Sequence, residues 1–253
     1  LLGLFYLSAS NFKWFLLLIL LVSGWEWANF ARLQSLGRII YASGLGALFF
    51  VSSDFLVPWL VAAVLWWVTA LWLIAHYPSQ SARWQRPDVI GLIGVVTLIP
   101  CGASLVWLKT QSDAATVLLL LLVLIWAADI GAYFVGRRFG QRKLLPNVSP
   151  GKSVEGVVGG LVIAVIAGFA TLELMPKVDG RALGYAGWLW LFLGIGLISV
   201  LGDLTLSMFK RSRGIKDSSQ LLPGHGGFLD RLDSVFSAAP IYCGLLYLTA
   251  SFK

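Results

Sequence analysis

Residues 187–202, GWLWLFLGIGLISVLG, contain no charged side chain and run directly into residues 203–233, DLTLSMFKRSRGIKDSSQLLPGHGGFLDRLD. A bilayer core about 30 Å thick needs roughly 20 consecutive, mainly apolar residues to cross it as a helix, and the window 185–208 meets that requirement. The stretch that follows concentrates four carboxylates (Asp203, Asp217, Asp230, Asp233) and five bases (Lys210, Arg211, Arg213, Lys216, Arg231) before a second apolar run, SVFSAAPIYCGLLYLTA at 234–250. Two apolar segments with a charged segment between them read as membrane-crossing helices with a polar cluster at the water boundary. Charges at that boundary are costly and mark function.

The rest of the chain repeats the pattern. Of 253 residues 58% are hydrophobic and only 12% charged, with a mean hydropathy of +0.83, which excludes an ordinary soluble domain. Spans are expected at 13–30, 39–53, 55–76, 88–108, 114–136, 154–175, 185–208 and 234–251, and residues 1–9 read as the closing turns of a further helix. Turn chemistry separates them: Pro58 near a helix start, the polar stretch HYPSQSARWQRPD at 76–88, and the Pro- and Gly-containing loops KLLPNVSPGK at 143–152 and LMPKVDGRALG at 174–184. The expected fold is therefore an all-α polytopic membrane bundle of eight to nine transmembrane helices. It is read as a single membrane domain over 1–253, with scaffold helices in 1–110 and the catalytic helices and loops in 114–253.

If these spans alternate, the loops after the first, third, fifth and seventh share one side and carry fourteen of the nineteen Lys and Arg residues. The positive-inside rule places those loops, including 137–153 and 209–233, in the cytoplasm. The net charge of +7 then reflects topology and anionic lipid or phosphate ligands, not nucleic acid. Cys101 and Cys243 sit inside apolar runs with no metal-ligand spacing, so neither a disulfide framework nor a zinc site is expected. The many Trp residues, as in WEW at 25–27 and LWW at 65–67, are expected as interfacial anchors. His76, at a helix end, belongs with them. Glu26, between two of those tryptophans, is either an interface residue or a buried polar partner.

Two constellations can carry chemistry. In ADIGAYFVGRRFG (128–140), Asp129, Tyr133, Gly136 and Gly140 fall on one helical face; alone this could be a packing stripe with one polar group turned into the bundle. Just downstream, Ser149, Lys152 and Ser153 precede a helix expected from Val154, so hydroxyls, an ammonium and free N–H groups converge on an anion site, although the spacing is not that of a Walker A loop. In the second constellation Asp203, Ser207 and Lys210 share a helical face, and Asp230 and Asp233 are i, i+3 on the next helix. Aspartates from two helices suit Mg²⁺, which takes few carboxylates and completes its shell with water and phosphate. A metal on phosphate oxygens among lysines and arginines describes phosphoryl or nucleotidyl transfer. His225, between glycines, either contacts a substrate phosphate or moves a proton, or else orders its loop.

Residues 207–233, SMFKRSRGIKDSSQLLPGHGGFLDRLD, resemble the signature of the phosphatidate cytidylyltransferase (CDP-diacylglycerol synthase) family, S-x-x-K-R-x4-K-D-x-[small]-x2-[apolar]-P-x-H-G-G-x-x-D-R-x-D, at every fixed position. DIGAYFVGRRFG, KLLPNVSPGKSVEG and WEW resemble its upstream motifs. The resemblance implies a transferase that joins CTP and phosphatidate into CDP-diacylglycerol and pyrophosphate, in a bacterial inner membrane with its site facing the cytoplasm. It implies Mg²⁺ (or Mn²⁺) on Asp203, Asp230 and Asp233, with Asp129 or Asp217 in support; a second metal ion and a homodimer are both compatible with it. Catalytic roles are expected for Asp203, Lys210, Arg211, Lys216, Asp217, His225, Asp230 and Asp233. Substrate contacts are expected from Asp129, Tyr133, Ser149, Lys152, Ser153, Ser207, Gly226, Gly227 and Arg231. The rival readings are a CTP-dependent lipid kinase, a cytidylyltransferase for another lipid, or a transporter, the last disfavoured because no repeat is seen and the acids crowd toward one face.

Overall fold

The computed structural model describes residues 6–175, 183–224 and 226–251. Among them are eight long helices: α1 (Ala9–Phe30), α2 (Ser35–Ser52), α3 (Leu56–Ala75), α4 (Pro87–Lys109), α5 (Ala114–Phe139), α6 (Val154–Leu174), α7 (Gly184–Arg213) and α8 (Leu229–Ser251). All but α1 are long and apolar enough to cross a membrane; α1 is diluted by Ser23, Gly24, Glu26 and Asn29 in its second half. The chain is an integral membrane protein of the expected all-α class. The remnant helix expected at 1–9 lies largely outside the described residues.

Local chemistry sets the helix ends. Ser8 and Ser153 cap α1 and α6, their hydroxyls accepting from Asn11 N and Gly156 N at 3.2 Å each. Pro87 opens α4, where a missing N–H costs nothing. Gly214, at φ +72°, closes α7 in the left-handed conformation that glycine alone enters freely. Two boundaries differ from expectation. Helix α7 runs on to Arg213 and α8 begins at Leu229, so the whole Asp203–Ser207–Lys210 face and both Asp230 and Asp233 lie on helix. The 137–153 segment is also not a simple loop: α5 continues to Phe139, and an antiparallel hairpin follows, β1 (Lys143–Leu145) with β2 (Ser149–Ser153).

Helix α4 lies in the interior and touches α1, α2, α3, α5 and α8. Its first turn is held by side chains of neighbouring helices: Trp27 Nε1 donates to Ile90 O at 2.9 Å and Tyr41 Oη to Gly91 O at 2.7 Å. Trp27 is fully buried, edge-on to Phe30 and tilted against Phe209; Trp66, Trp67 and Trp84 are buried as well. The interfacial reading is thus wrong for Trp27, Trp66 and Trp67, which fill the core where large apolar rings bury most area. His76 does end a helix, exposed and stacked on Trp72. Cys101 and Cys243 are buried free thiols.

Helices α5 and α6 form the most extensive pair, because both present small residues. A Cβ on Gly160 would strike the Ala128 carbonyl, and one on Gly156 would lie 2.9 Å from Ala132 O. Close backbone approach of this kind drives helix pairing in lipid, where apolar contact alone offers little. The packing stripe and the polar face of α5 therefore coexist: the glycines seat α6 while Asp129 and Tyr133 face a cavity.

Candidate active site

That cavity, about 690 Å³, lies where the polar ends of α5, α6, α7 and α8 meet the β1–β2 hairpin. Asp129, Tyr133 and Arg137 come from one face of α5, and Ser149, Lys152 and Ser153 from β2. Asp203 comes from α7, and Asp230, Asp233 and Ser234 from the first turns of α8. Residues far apart in sequence are joined there by short ionic contacts. Lys152 Nζ is 2.6 Å from Asp203 Oδ2, and Lys210 Nζ is 2.7 Å from Asp230 Oδ1. Ser207 Oγ donates to Asp203 Oδ1 at 3.3 Å. Asp203 is also near enough to Asp129 and Asp233 for their charges to interact.

The loop between α7 and α8 is closed on Asp230. Its Oδ2 accepts from Ser218 N and Gly227 N, both at 2.9 Å, and lies 3.1 Å from Ser218 Oγ. Gly226, at φ +80°, packs between Asp217 and Asp230 and bridges to Leu222. A Cβ on Gly227 would overlap the Ser218 hydroxyl, so this turn requires glycine. Arg211 Nε donates to Val148 O at 3.3 Å and ties the end of α7 to the hairpin.

The structure thus brings Asp129, Tyr133, Ser149, Lys152, Ser153, Asp203, Asp230 and Asp233 to one cavity, with Ser207 and Lys210 bonded to its acids. Of the other expected residues, Gly226 and Gly227 shape the turn that holds Asp230, while four of the described ones stay outside the lining. Lys216 and Asp217 are exposed and outside the lining, and Arg211 serves the hairpin. Arg231 lines a different, mainly apolar pocket of about 280 Å³ with Phe12, Trp126 and Val235. His225 lies outside the described residues. Two bases that line the cavity were missed, Arg137 and Lys143. Arg137 was legible, four residues after Tyr133 on the same face and 3.1 Å from its hydroxyl; Lys143 arrives only through its strand register opposite Ser153.

Asp203 and Asp233 border the cavity with Asp129 beside them, a donor set that suits a Mg²⁺ completed by water and phosphate oxygens. Among the described residues no group of three His, Cys, Asp or Glu side chains is arranged to hold a metal ion, so a Mg²⁺ here would rest on few carboxylates and draw most of its ligands from water and phosphate. Asp230 differs from Asp203, whose oxygens meet the side chains of Lys152 and Ser207: it takes Lys210 on one oxygen and two backbone amides of the loop on the other.

A profile of the cytidylyltransferase family matches residues 1–249. A phosphatidate cytidylyltransferase of Haemophilus influenzae is 42% identical over 240 residues, 86% of this chain and 83% of that protein. One from Pseudomonas aeruginosa is 41% identical over 258 aligned residues, covering 97% of this chain and 91% of its own. A third, from Bacillus subtilis, is 45% identical over 127 residues, half of this chain. A match along nearly the full length, over both segments that build the cavity, means that this chain belongs to the cytidylyltransferase family.

Proposed function

We infer that the protein is a nucleotidyltransferase that joins CTP and phosphatidate into CDP-diacylglycerol, releasing pyrophosphate. The observation that carries this reading is the single cavity in which the 129–153 and 203–234 residues meet, acids interleaved with bases, at one end of a membrane bundle. An oxygen of the phosphatidate monoester attacks the α-phosphorus of CTP. The new P–O bond forms as the bond to the oxygen bridging the β-phosphorus breaks, and pyrophosphate leaves with that electron pair. The attacking group is already an anion, so no strong base is needed. The task is to bring two polyanions together and offset developing charge.

Arg137, Lys143, Lys152 and the N-terminal amides of α6 present positive charge for the phosphates. Lys152, paired with Asp203 in this structure, turns to phosphate when substrate enters, which frees the Asp203 carboxylate. Asp203 and Asp233, with Asp129 beside them, would hold Mg²⁺ (or Mn²⁺), which when bound polarises and neutralises phosphate oxygens. We read the cavity as facing the cytoplasm of a bacterial inner membrane, an orientation supported by the fourteen bases on the loops of one side. There soluble CTP and a bilayer lipid can meet.

CTP labelled at its α- or its γ-phosphate separates this reaction from that of a lipid kinase. Label from the α-phosphate is expected in the organic-extractable lipid, and none from the γ-phosphate. Transfer of γ-label to lipid would refute nucleotidyl transfer.

A further inference from the structure

Glu26 lies outside the cavity, in α1, fully buried. Its Oε2 accepts from Ser218 Oγ at 2.9 Å and Leu229 N at 2.7 Å; its Oε1 accepts from Phe228 N at 2.8 Å and from Ser219 Oγ. A carboxylate offers about four acceptor sites, and these four donors fill them. Burying such a group is unfavourable unless it is satisfied in this way. The donors come from both ends of the 218–229 segment, 192 to 203 residues away in sequence. Nearby, Asn29 Nδ2 donates to Ser218 O at 3.2 Å and Arg38 fixes Asn29 at 2.7 Å, so the end of α1 forms a seat for this segment.

The bonds continue to the cavity. Ser218 Oγ lies between Glu26 and Asp230, with one proton for two carboxylates, while Ser218 N and Gly227 N hold Asp230 directly. Phe228 and Leu229, the residues just before Asp230, are bonded to Glu26. Where Glu26 sits therefore decides where Asp230 and its partner Lys210 sit. We propose that Glu26 is a positioning residue for the transfer reaction: it clamps both ends of the 218–229 segment and so fixes the Lys210–Asp230 pair at the cavity wall. This rests on reading that cavity as the reaction site.

The test is Glu26→Gln, which sets an amide NH₂ against two donors, compared with Glu26→Asp, which keeps two acceptor oxygens on a shorter stem. Backbone hydrogen exchange and turnover are measured on the full chain, purified and monodisperse in detergent. In Glu26→Gln, exchange at Ser218 and at 227–229 is expected to rise at least tenfold while α4 to α6 stay as in the wild type, and turnover at saturating CTP and phosphatidate to fall at least tenfold. Glu26→Asp is expected to recover part of both, and adding Ser218→Ala to Glu26→Gln to cause little further loss. Unchanged exchange in the segment overturns the clamp; raised exchange with wild-type turnover overturns the positioning role. If Glu26→Gln does not fold, Ser219→Ala removes one Glu26 donor without touching Asp230. It should shift both readouts in the same direction by less, and no shift in either counts against the proposal. A wild-type protein inactive with CTP and phosphatidate would instead refute the functional reading, while the exchange data would still report the clamp.

Discussion

Asp203→Asn is expected to lower turnover by about two orders of magnitude or more, the size of effect seen when one preorganised electrostatic partner is removed from an active site. The substitution keeps the shape of the side chain and one acceptor oxygen, so Ser207 retains its partner. It removes the negative charge that faces the cavity beside Asp129 and Asp233. The fold should survive. Asp203 and Lys152 keep contact with the cavity, at 28% and 15% side-chain exposure, and a lysine at a wet cavity can rehydrate where a sealed one cannot. The matching expectation for the ion is that EDTA abolishes turnover of the wild type and added Mg²⁺ or Mn²⁺ restores it, because the available donors are hard oxygens. In Asp203→Asn the Mg²⁺ requirement should move to higher concentration. Near-normal turnover in a well-folded Asp203→Asn protein would remove Asp203 from the site.

Asp230→Asn should behave differently, with a large loss of stability as well as of activity. Lys210 and Asp230 are only 13% and 9% exposed and 2.7 Å apart. Taking one partner from such a buried pair leaves a lone charge and typically costs about 3–5 kcal/mol. The amide can keep its oxygen toward Ser218 N and Gly227 N, but its NH₂ then faces the Lys210 ammonium. A marked fall in melting temperature in detergent is expected, and pairing the change with Lys210→Met should restore much of it by removing the stranded charge. Turnover should remain low in the double variant, because the cavity wall has lost both groups. A melting temperature unchanged in Asp230→Asn would show that the pair does not hold the loop, and would return Asp230 to the Mg²⁺-ligand role expected from the sequence.

The contrast between these two aspartates marks the limit of what sequence shows. Both are acids near bases on a helix, and the spacing 203, 207, 210 or 230, 233 reports a shared face, not a partner. The spans were legible because about twenty apolar residues between turn signals admit few alternatives in lipid, and the observed helices match them within a few residues except at Arg213 and Leu229. The polar face of α5 was legible from its period. The bonds of Glu26 to Ser218 and Leu229 were not, since nothing local links residues so far apart. Lys143 was missed because only strand register carries it to the cavity. Trp27 and Trp67 were assigned to the interface because tryptophan serves anchoring and core packing with the same ring, and only the neighbours, Phe209 and Ile90 for Trp27, decide between them.

Pyrophosphate release by the purified protein, supplied with CTP and Mg²⁺ and assayed with and without phosphatidate, tests the central claim most directly. The account predicts release only when phosphatidate is present, with one CDP-diacylglycerol formed for each pyrophosphate. Release at the same rate without phosphatidate, or none with it, would contradict the claim that the two polar segments form one site for both substrates.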